Sequence, residues 1–283
     1  MSVILNGKQL RDRVLERLKT KLESFDKKPT LVVILAGDDE ASKIYVNNKK
    51  KTAEKIGINS VVLNYPSDVS EKILLDKINE LNKDSEVTAI LVQLPLPKHI
   101  NKFSIINAIS PQKDVDGFTP ENFGKLLSGQ EPYVYPCTPR GIMLLLKEYG
   151  INVEGKHAVV IGRSIIVGKP MVQMLLRANA TVTCCHSHTK NISEIIKTAD
   201  IVISAVGGKI IEKSMLKPGC VVVDVGIFKD ETGKTRGDVN FAEAAEVASY
   251  ISPVPGGVGP MTIAMLMSNT VELLEKQSVI NHQ

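Results

Sequence analysis

The chain has 283 residues, enough for one large domain or two medium ones with buried cores. Its 43% hydrophobic and 23% charged residues are ordinary for a globular protein, and a net charge of +4 with only 4% aromatic residues argues against a nucleic-acid-binding surface. The N-terminus lacks the apolar segment of a signal peptide, and no apolar run could span a membrane, so we expect a cytoplasmic protein that binds neither membranes nor nucleic acid.

The first half of the chain alternates apolar runs of strand length with segments of helical periodicity. The predicted elements are a strand at Thr30–Leu35, a helix at Ala41–Ile56, a strand at Ser60–Tyr65, a helix at Ser70–Asn82 and a strand at Thr88–Val92. This order predicts a parallel sheet with helices on its faces. A turn-rich stretch at 110–129 then interrupts the alternation.

The second half begins with a helix whose N-cap and first residue are Thr138 and Pro139, and which Gly150 ends. The remaining predicted elements are strands at His157–Ile161, Thr181–Cys185, Ile201–Ala205 and Val221–Val225, and a final helix at Met261–Lys276. We predict two α/β domains: residues 1–138 with 262–283, and a Rossmann-like dinucleotide-binding domain at 139–261. The helices near 139–149 and at the end of the chain are expected to cross between them, with an interdomain cleft for ligands.

The cysteines are Cys137, Cys184, Cys185 and Cys220. They form no Cys-x-x-Cys pair, and no histidine lies at metal-ligand spacing from a cysteine pair, so we expect buried free thiols and no metal site. Adjacent Cys184 and Cys185 lie in a strand-like run, so their side chains should point to opposite faces.

The turn after the strand at His157–Ile161 is a candidate phosphate site. Gly162 and Gly168 bracket it, and N–H groups at the start of the next helix suit a pyrophosphate, although the spacing differs from the common G-x-G-x-x-G fingerprint. NAD-binding domains carry an acidic residue after the following strand, but residues 185–190 contain none. Arg163 and Ser187 offer a cation and a hydroxyl instead, which a 2′-phosphate needs, so the sequence favours NADP. By residue type alone, Arg163 also fits a solvated surface position.

Candidate catalytic side chains lie in the first half. Tyr45 and Lys49 are four residues apart on a predicted helix and share a face, so together they could relay a proton, although this spacing is also common among surface charges. Gln93 ends a buried strand, where open α/β sheets bind ligands, or it satisfies a loop backbone. Asp114 and Asp116 precede a glycine; we expect one of them to be structural and the other to face the ligand.

The segment Pro253–Thr262 contains three prolines and three glycines in ten residues. Such a loop has a constrained backbone and few side chains, so a ligand can approach the main chain closely.

In combination, these segments resemble the bifunctional methylenetetrahydrofolate dehydrogenase/cyclohydrolase family. The motifs that carry the resemblance are Tyr45-Val46-Asn47-Asn48-Lys49, Val92-Gln93-Leu94-Pro95, Asp114-Val115-Asp116-Gly117-Phe118, Gly162-Arg163-Ser164-Ile165-Ile166-Val167-Gly168 and Pro255-Gly256-Gly257-Val258-Gly259-Pro260-Met261-Thr262. They extend over most of the chain and occur in a fixed order. Phe228 departs from the pattern, because many relatives carry Asn there, and so does His188.

The resemblance implies an enzyme that oxidises 5,10-methylenetetrahydrofolate with NADP⁺ and hydrolyses the methenyl product to 10-formyltetrahydrofolate, usually as a homodimer. Lys49 would be the key cyclohydrolase residue, assisted by Tyr45 and oriented by Gln93, and Asp116 would bind the pterin ring. Further contacts to tetrahydrofolate would come from Leu94, Pro255, Gly256, Gly257, Gly259 and Thr262. Contacts to the dinucleotide would come from Gly162, Arg163, Ser164, Ser187 and the backbone near Ile227.

Three other functions remain open at this stage. A short-chain dehydrogenase also combines Tyr-x-x-x-Lys with a glycine turn, but there the glycine motif precedes the tyrosine. An NAD-using relative with dehydrogenase activity alone is a closer alternative. A catalytically inactive nucleotide-binding regulator is the third, and intact Lys49, Gln93 and Asp116 argue against it.

Overall fold

The structure is a computed structural model that describes residues 2–208 and 211–280. The chain divides into two compact units. Unit 1 comprises Met1–Arg13 and Pro136–Met265, and unit 2 comprises Val14–Tyr135 and Leu266–Gln283.

The secondary structure confirms the mixed α/β class. In the first half the elements are β1 (Val3–Ile4), α1 (Gly7–Leu22), β2 (Thr30–Ala36), α2 (Glu40–Ile56), β3 (Asn59–Tyr65), α3 (Glu71–Lys83), β4 (Ala89–Val92), α4 (Lys102–Ala108), α5 (Pro120–Leu127) and α6 (Cys137–Glu148). In the second half they are β5 (His157–Ile161), α7 (Gly168–Arg177), β6 (Thr181–Cys185), α8 (Ile192–Ile196), β7 (Ile201–Ser204), a 3₁₀ turn (Lys213–Met215), β8 (Val221–Asp224), β9 (Phe228–Lys229), β10 (Thr235–Arg236), α9 (Phe241–Ala244), β11 (Tyr250–Ile251) and α10 (Val258–Ile280).

Unit 2 is built on a three-stranded parallel sheet of order β3-β2-β4. The central strand, β2, is buried at six of its seven positions because it has a neighbour on each side and helices on its faces. Its core includes apolar residues from α3 and α4, such as Leu74, Ile78 and Ile105, none of which is exposed. This packing fixes the carboxyl ends of β2 and β4, where the candidate catalytic residue Gln93 follows β4.

Unit 1 contains a six-stranded parallel sheet of order β1-β11-β8-β7-β5-β6. The chain runs from β5 outward to β6 and then returns to β7 on the other side of β5. The order of strands therefore reverses at β5, and open α/β sheets bind ligands beyond the carboxyl ends of the strands at such a switch point. The Rossmann-like arrangement expected of the second half is confirmed.

The N-terminal segment belongs to a different unit from the one predicted. Val3 and Leu5 donate backbone hydrogen bonds to Ser249 and Ile251, so β1 extends the sheet of unit 1, whereas the sequence placed residues 1–138 in the first domain. Helices α1 and α10 each have residues in both units, and α6 lies wholly in unit 1, contrary to the expectation that α6 would cross. Residues 281–283 of the predicted first domain lie outside the described residues.

Other differences concern helices that the sequence analysis did not identify. The turn-rich stretch 110–129 contains α5, which starts with Pro120 in its first turn after Thr119. The prediction of Thr138 as the N-cap of α6 is wrong: that helix begins at Cys137, and Pro136 occupies the cap position. Helix α1 was missed altogether, although buried Leu15, Leu18 and Leu22 follow helical spacing.

Candidate active site

Lys49 and Gln93 meet in unit 2. The Nζ atom of Lys49 donates a 2.8 Å hydrogen bond to Oε1 of Gln93. Gln93 in turn donates from Nε2 to the carbonyl oxygen of Leu94 at 2.6 Å, and its own N–H binds the carbonyl oxygen of Ile34 in the central strand. The amide is thus held at both ends, so its oxygen faces the ammonium in a fixed orientation. Residues 44 positions apart in the sequence form one polar group.

Helix α2 presents Tyr45 and Lys49 one turn apart. The helix starts at a defined point because the Asp39 side chain accepts a hydrogen bond from the Ser42 N–H at 2.7 Å, and it ends at Gly57, whose φ is +95°. Val46 packs into the core at 3% exposure, whereas the Tyr45 side chain is 43% exposed. The phenol is therefore accessible to a ligand, while the half-buried Lys49 is partly shielded from water.

Asp114 is a structural residue, as the sequence analysis expected. Its carboxylate is 2% exposed and accepts hydrogen bonds from the N–H groups of Gly117 and Thr119 and from the amide of Asn122, at 2.8–3.0 Å. A buried carboxylate needs such donors to compensate for lost hydration. They fold the turn tightly, with φ of +69° at Gly117, and Asp116 in the same turn is half-buried.

Helix α10 supports the same turn from within unit 2. Asn269 is fully buried and donates its amide hydrogens to the carbonyl oxygens of Val115 and Tyr135, at 2.8 and 2.9 Å. The backbone immediately before Asp116 is therefore fixed by a side chain from the far end of the chain. Sequence reasoning missed Asn269, although an amide within a run of apolar helical residues is a recognisable signal.

The turn at residues 162–168 of unit 1, the glycine turn, has no room for a side chain at its two glycines. Gly162 has a φ of +117°, and a Cβ added there would lie 2.6 Å from the carbonyl oxygen of Ala205. A Cβ added at Gly168 would lie 2.0 Å from the carbonyl oxygen of Gly162. The Ser164 hydroxyl accepts a 3.1 Å hydrogen bond from the N–H of Val167, which tightens the turn before α7, and Arg163 is exposed. The prediction that α7 begins near Gly168 is confirmed.

The turn after β6 contains Ser187 and no carboxylate. His186 accepts at its carbonyl from the N–H of Thr189 at 2.8 Å and at Nδ1 from the N–H of His188 at 3.2 Å. Ser187 and His188 are exposed at the tip of this turn. The Cys185 carbonyl at the end of β6 accepts from Gly162 N–H at 2.9 Å, so the turn adjoins the glycine turn.

The prediction of buried free thiols holds for three of the four cysteines. Cys184 is exposed, whereas Cys137, Cys185 and Cys220 are buried, and burial raises the pKa of the Cys220 thiol to about 11. The adjacent pair on β6 does point to opposite faces. Among the described residues, no group of three or more His, Cys, Asp or Glu side chains is arranged to hold a metal ion. No helix in that part of the chain has the length and apolar character of a membrane span.

The proline- and glycine-rich segment packs closely on the start of α1. A Cβ on Gly7 would lie 1.8 Å from the carbonyl oxygen of Gly257, and the N–H of Lys8 donates to the carbonyl of Gly256 at 3.0 Å. Gly256 has a φ of +114°. The segment has the unusual, constrained backbone that its composition predicts.

The segment then leads into α10. Pro255 is exposed and Gly259 has nothing within 4 Å of an added Cβ. The Thr262 hydroxyl lies 3.0 Å from that of Thr138 on α6. Where α6 and α10 pack against each other, Gly141 leaves no room for a side chain beside Met261.

Two buried carboxylates of unit 1 were missed by sequence reasoning. Asp224 is 3% exposed at the end of β8, and Asp238 is fully buried in the loop after β10. Asp224 accepts the N–H groups of Gly226, Asp238 and Val239, and thereby fixes the backbone that leads to Ile227, which is 48% exposed. Phe228, the departure from the family pattern noted in the sequence, pairs with Arg236 in the β9–β10 hairpin.

Two family models match this chain. The model for the tetrahydrofolate dehydrogenase/cyclohydrolase catalytic domain matches residues 5–116, and the model for the NAD(P)-binding domain of the same family matches residues 136–278. Together they account for most of both units. All five motifs that carry the resemblance fall within or at the edges of these two ranges.

Individual relatives agree with the family models. The bifunctional protein FolD of Acetivibrio thermocellus is 52% identical, with 97% of this chain and 98% of that protein covered. The crystal structure of the bifunctional enzyme FolD from Campylobacter jejuni superposes with a TM-score of 0.96 at 49% identity, with 98% and 100% covered. A Trypanosoma brucei relative, solved in complex with NADP and an inhibitor, has a TM-score of 0.93 at 34% identity, with 98% of each chain covered.

Proposed function

This chain belongs to the tetrahydrofolate dehydrogenase/cyclohydrolase family, and we propose that unit 2 supplies its catalytic side chains while unit 1 binds the dinucleotide. The chain is a bifunctional NADP-dependent enzyme: it oxidises 5,10-methylenetetrahydrofolate and hydrolyses the methenyl product to 10-formyltetrahydrofolate. The observation that carries the residue assignment is the 2.8 Å hydrogen bond from Lys49 to Gln93, which joins two separate motifs into one polar group.

The oxidation step requires alignment rather than proton transfer. NADP⁺ supplies the hydride acceptor when it is bound. The methenyl product is a cation stabilised by two flanking nitrogens, so no base is needed. The protein contributes by aligning the substrate with the cofactor. We assign this task to the constrained segment that contains Pro255, Gly256, Gly257 and Gly259, together with Thr262, because its backbone is fixed and few side chains obstruct it.

The hydrolytic step requires a group that accepts and returns a proton. Water adds to the methenyl carbon, and the proton it releases must reach a nitrogen of the opening ring. Lys49 suits this role because its amine is held by the neutral amide of Gln93, and a cationic substrate nearby disfavours a second positive charge. Tyr45, one turn away and exposed, can hold the attacking water or pass the proton. Gln93, anchored on Leu94, orients the amine.

We propose that Asp116 binds the pterin ring. A carboxylate pairs well with the adjacent amino and ring N–H donors of that group. The turn that carries Asp116 is held rigidly by Asp114 on one side and by Asn269 from α10 on the other. Such support is what a residue that positions a substrate requires, because small displacements of a bound substrate reduce its reactivity.

The residues of unit 1 fit a dinucleotide with a 2′-phosphate. Gly162 and Gly168 sit where a Cβ would collide with the protein's own backbone, so the tight turn before α7 depends on both glycines. The N–H groups at the start of that helix suit a phosphate. Ser164 and the backbone near Ile227 complete the proposed contacts. Exposed Arg163 and Ser187 offer charge and a hydroxyl, and the turn after β6 has no carboxylate to repel a phosphate.

A spectrophotometric assay of the purified protein tests the proposal. With methylenetetrahydrofolate, turnover with NADP⁺ should exceed turnover with NAD⁺, and 10-formyltetrahydrofolate should be the final product. Preference for NAD⁺ with accumulation of methenyltetrahydrofolate would favour a dehydrogenase-only enzyme. NADPH binding without turnover of either substrate would favour a catalytically inactive regulator.

Homodimer formation and a cytoplasmic location are further proposals that follow from the family. Light scattering on the purified protein should give about twice the 30.9 kDa of one chain. A value near that of one chain would exclude the dimer.

A further inference from the structure

Asp238 gathers four hydrogen-bond donors around one fully buried carboxylate. Oδ2 accepts from the Ser204 hydroxyl at 2.7 Å and from the N–H of Val206 at 2.9 Å. Oδ1 accepts from the N–H groups of Gly207 and Gly208 at 2.9 and 2.8 Å. Three consecutive backbone N–H groups therefore converge on a side chain 30 to 32 residues away in the sequence. A charge this deeply buried is tolerated because its donors replace its hydration.

The loop that Asp238 holds has little rigidity of its own. Val206, Gly207 and Gly208 follow β7, and Gly207 has a φ of +80°. Adjacent glycines have wide conformational freedom, and ordering them costs more backbone entropy than ordering other residues. The position of this loop thus depends on an external anchor, and Asp238 is the anchor within the described residues whose bonds reach all three N–H groups.

Asp224 and Asp238 each pack closely against a glycine that lies near the other aspartate in the sequence. A Cβ on Gly226 would lie 1.8 Å from Oδ1 of Asp238, and a Cβ on Gly237 would lie 2.0 Å from Oδ2 of Asp224. Asp224 in turn accepts the N–H of Asp238 at 2.9 Å. The loops after β7 and β8 are consequently fixed by one pair of buried carboxylates, and glycine is required beside each.

The loop after β7 lies at the switch point of the sheet and adjoins the glycine turn. The tight approach of Gly162 to the Ala205 carbonyl joins the turn after β5 to the loop after β7. A Cβ added at Gly207 would lie 3.7 Å from the carbonyl oxygen of Ile227, so the loop after β7 also adjoins the loop after β8. A displacement of the 206–208 loop would be transmitted to both the proposed phosphate-binding turn and the backbone near Ile227.

We propose that Asp238 is a positioning residue for the dinucleotide, which fixes the 206–208 loop and through it the glycine turn and the backbone at Ile227. This inference rests on the proposed binding of NADP by unit 1. Asp238 does not touch the ligand; it acts through backbone N–H groups that would otherwise be free to move. Its effect should therefore fall on cofactor binding and hydride transfer, and leave the hydrolysis of methenyltetrahydrofolate, which uses no cofactor, unchanged.

Asp238→Asn is the informative variant because it keeps the size of the side chain. One oxygen becomes an NH₂ group that faces donors, so two of the four accepted bonds are lost or opposed. We expect the Kd for NADPH, measured by fluorescence or calorimetry, to rise about 10–100-fold, since small misplacements at a site can weaken function by about 100-fold. Cyclohydrolase turnover, assayed from methenyltetrahydrofolate without cofactor, should stay within about twofold of the unmodified enzyme.

Asp200→Asn is the matched control. Asp200 also accepts a backbone N–H, that of His157, at 3.0 Å, but it lies at the amino ends of β5 and β7, the opposite edge of the same sheet. It should leave both NADPH binding and cyclohydrolase unchanged. If Asp238→Asn binds NADPH normally, or if both activities and binding fall by the same factor in the two variants, Asp238 has only a general structural role and the inference is wrong.

Ser204→Ala covers the case in which Asp238→Asn does not fold. It removes one donor and leaves the carboxylate and the three N–H bonds intact. NADPH binding weakened about 2–5-fold with full cyclohydrolase would support the inference, and unchanged binding would overturn it. Failure of the proposed function looks different: the unmodified protein itself would then bind no NADPH.

Discussion

The two units build their sites from different material. In unit 2 the proposed catalytic group consists of side chains, Lys49 and Gln93, presented by a capped helix and by the end of a buried strand. In unit 1 the proposed cofactor site consists largely of backbone, at glycines such as Gly162 where a Cβ does not fit. Buried carboxylates away from the ligand, above all Asp238, set the shape of that backbone.

This difference predicts how substitutions in each unit should affect activity. Removal of a catalytic side chain eliminates a chemical step but leaves the surrounding structure in place. Changes that affect a backbone site act on binding, either by removing an exposed partner of the ligand or by loosening a loop. Variants in the two units should therefore separate the two activities.

The largest expected effect is that of Lys49→Gln. Cyclohydrolase turnover should fall by about 10²–10⁴-fold, the usual scale of general acid–base catalysis, because the glutamine cannot accept and return a proton. Dehydrogenase turnover should fall much less, since hydride transfer needs no base. Both rates are measured on one folded preparation, and the methenyl intermediate should accumulate. Survival of the cyclohydrolase with loss of the dehydrogenase would show that Lys49 does not handle the proton.

Arg163→Ala should weaken the use of NADP⁺ by about 10–150-fold, the equivalent of one charge-assisted hydrogen bond of about 1.5–3 kcal/mol. Turnover with NAD⁺, which lacks the 2′-phosphate, should barely change. The kcat/KM values for the two cofactors provide the measurement. Equal losses with both would exclude a 2′-phosphate role for Arg163.

Asp116→Ala should weaken folate binding by about 10–100-fold, through the loss of paired charge-assisted bonds, and leave NADPH affinity intact. Asp114→Asn is the comparison variant in the same turn. It should lower the free energy of unfolding by about 1–3 kcal/mol, because a buried acceptor of three hydrogen bonds is lost in part. Calorimetric titration and chemical denaturation check the pair. Normal folate binding in Asp116→Ala would contradict its proposed role.

The last prediction concerns stability rather than activity: the response of Asp224 to pH. Burial raises the pKa of this carboxyl from 3.8 to about 6, so the folded state retains a proton that the unfolded chain releases near pH 4. The protonated Asp224 carboxyl contributes fully to the free energy of unfolding below pH 4, and this contribution is lost as the pH rises through about 6. At 1.36 kcal/mol per pKa unit, the contribution is at most about 3 kcal/mol. Asp224→Asn should remove this component, which is seen as the difference between the two stability curves from pH 4 to 7. Parallel curves would contradict it.

The same contrast explains what could be predicted from the sequence. The bounds of β5 and β6 and the start of α7 matched prediction closely. For β5 the reason is that a buried parallel strand is a continuous apolar run, here ended by Gly162. Lys49 and Gln93 could be identified because side-chain chemistry is visible in a motif. Their 2.8 Å contact could not be predicted, since it depends on how α2 packs against the sheet that contains β4.

Residues that act by fixing the backbone could not be identified from the sequence. Asp238 and Asp224 stand in unremarkable Gly-Asp-Val and Val-Asp-Val contexts, and nothing local shows that one carboxylate anchors a loop some 30 residues earlier. The place of β1 in the sheet of unit 1 was also missed, because a two-residue strand has no periodicity and its pairing is decided by its partner, β11.

The most direct test of the account is a cross-comparison of Lys49→Gln and Arg163→Ala, in which cyclohydrolase turnover and the Kd for NADPH are measured for each variant. Lys49→Gln should lose cyclohydrolase by about 10²–10⁴-fold and bind NADPH normally, and Arg163→Ala should show the opposite pattern, with cyclohydrolase intact and NADPH binding about 10–150-fold weaker. If each variant lost both properties in proportion, the assignment of side-chain catalysis to unit 2 and of cofactor binding to unit 1 would be contradicted.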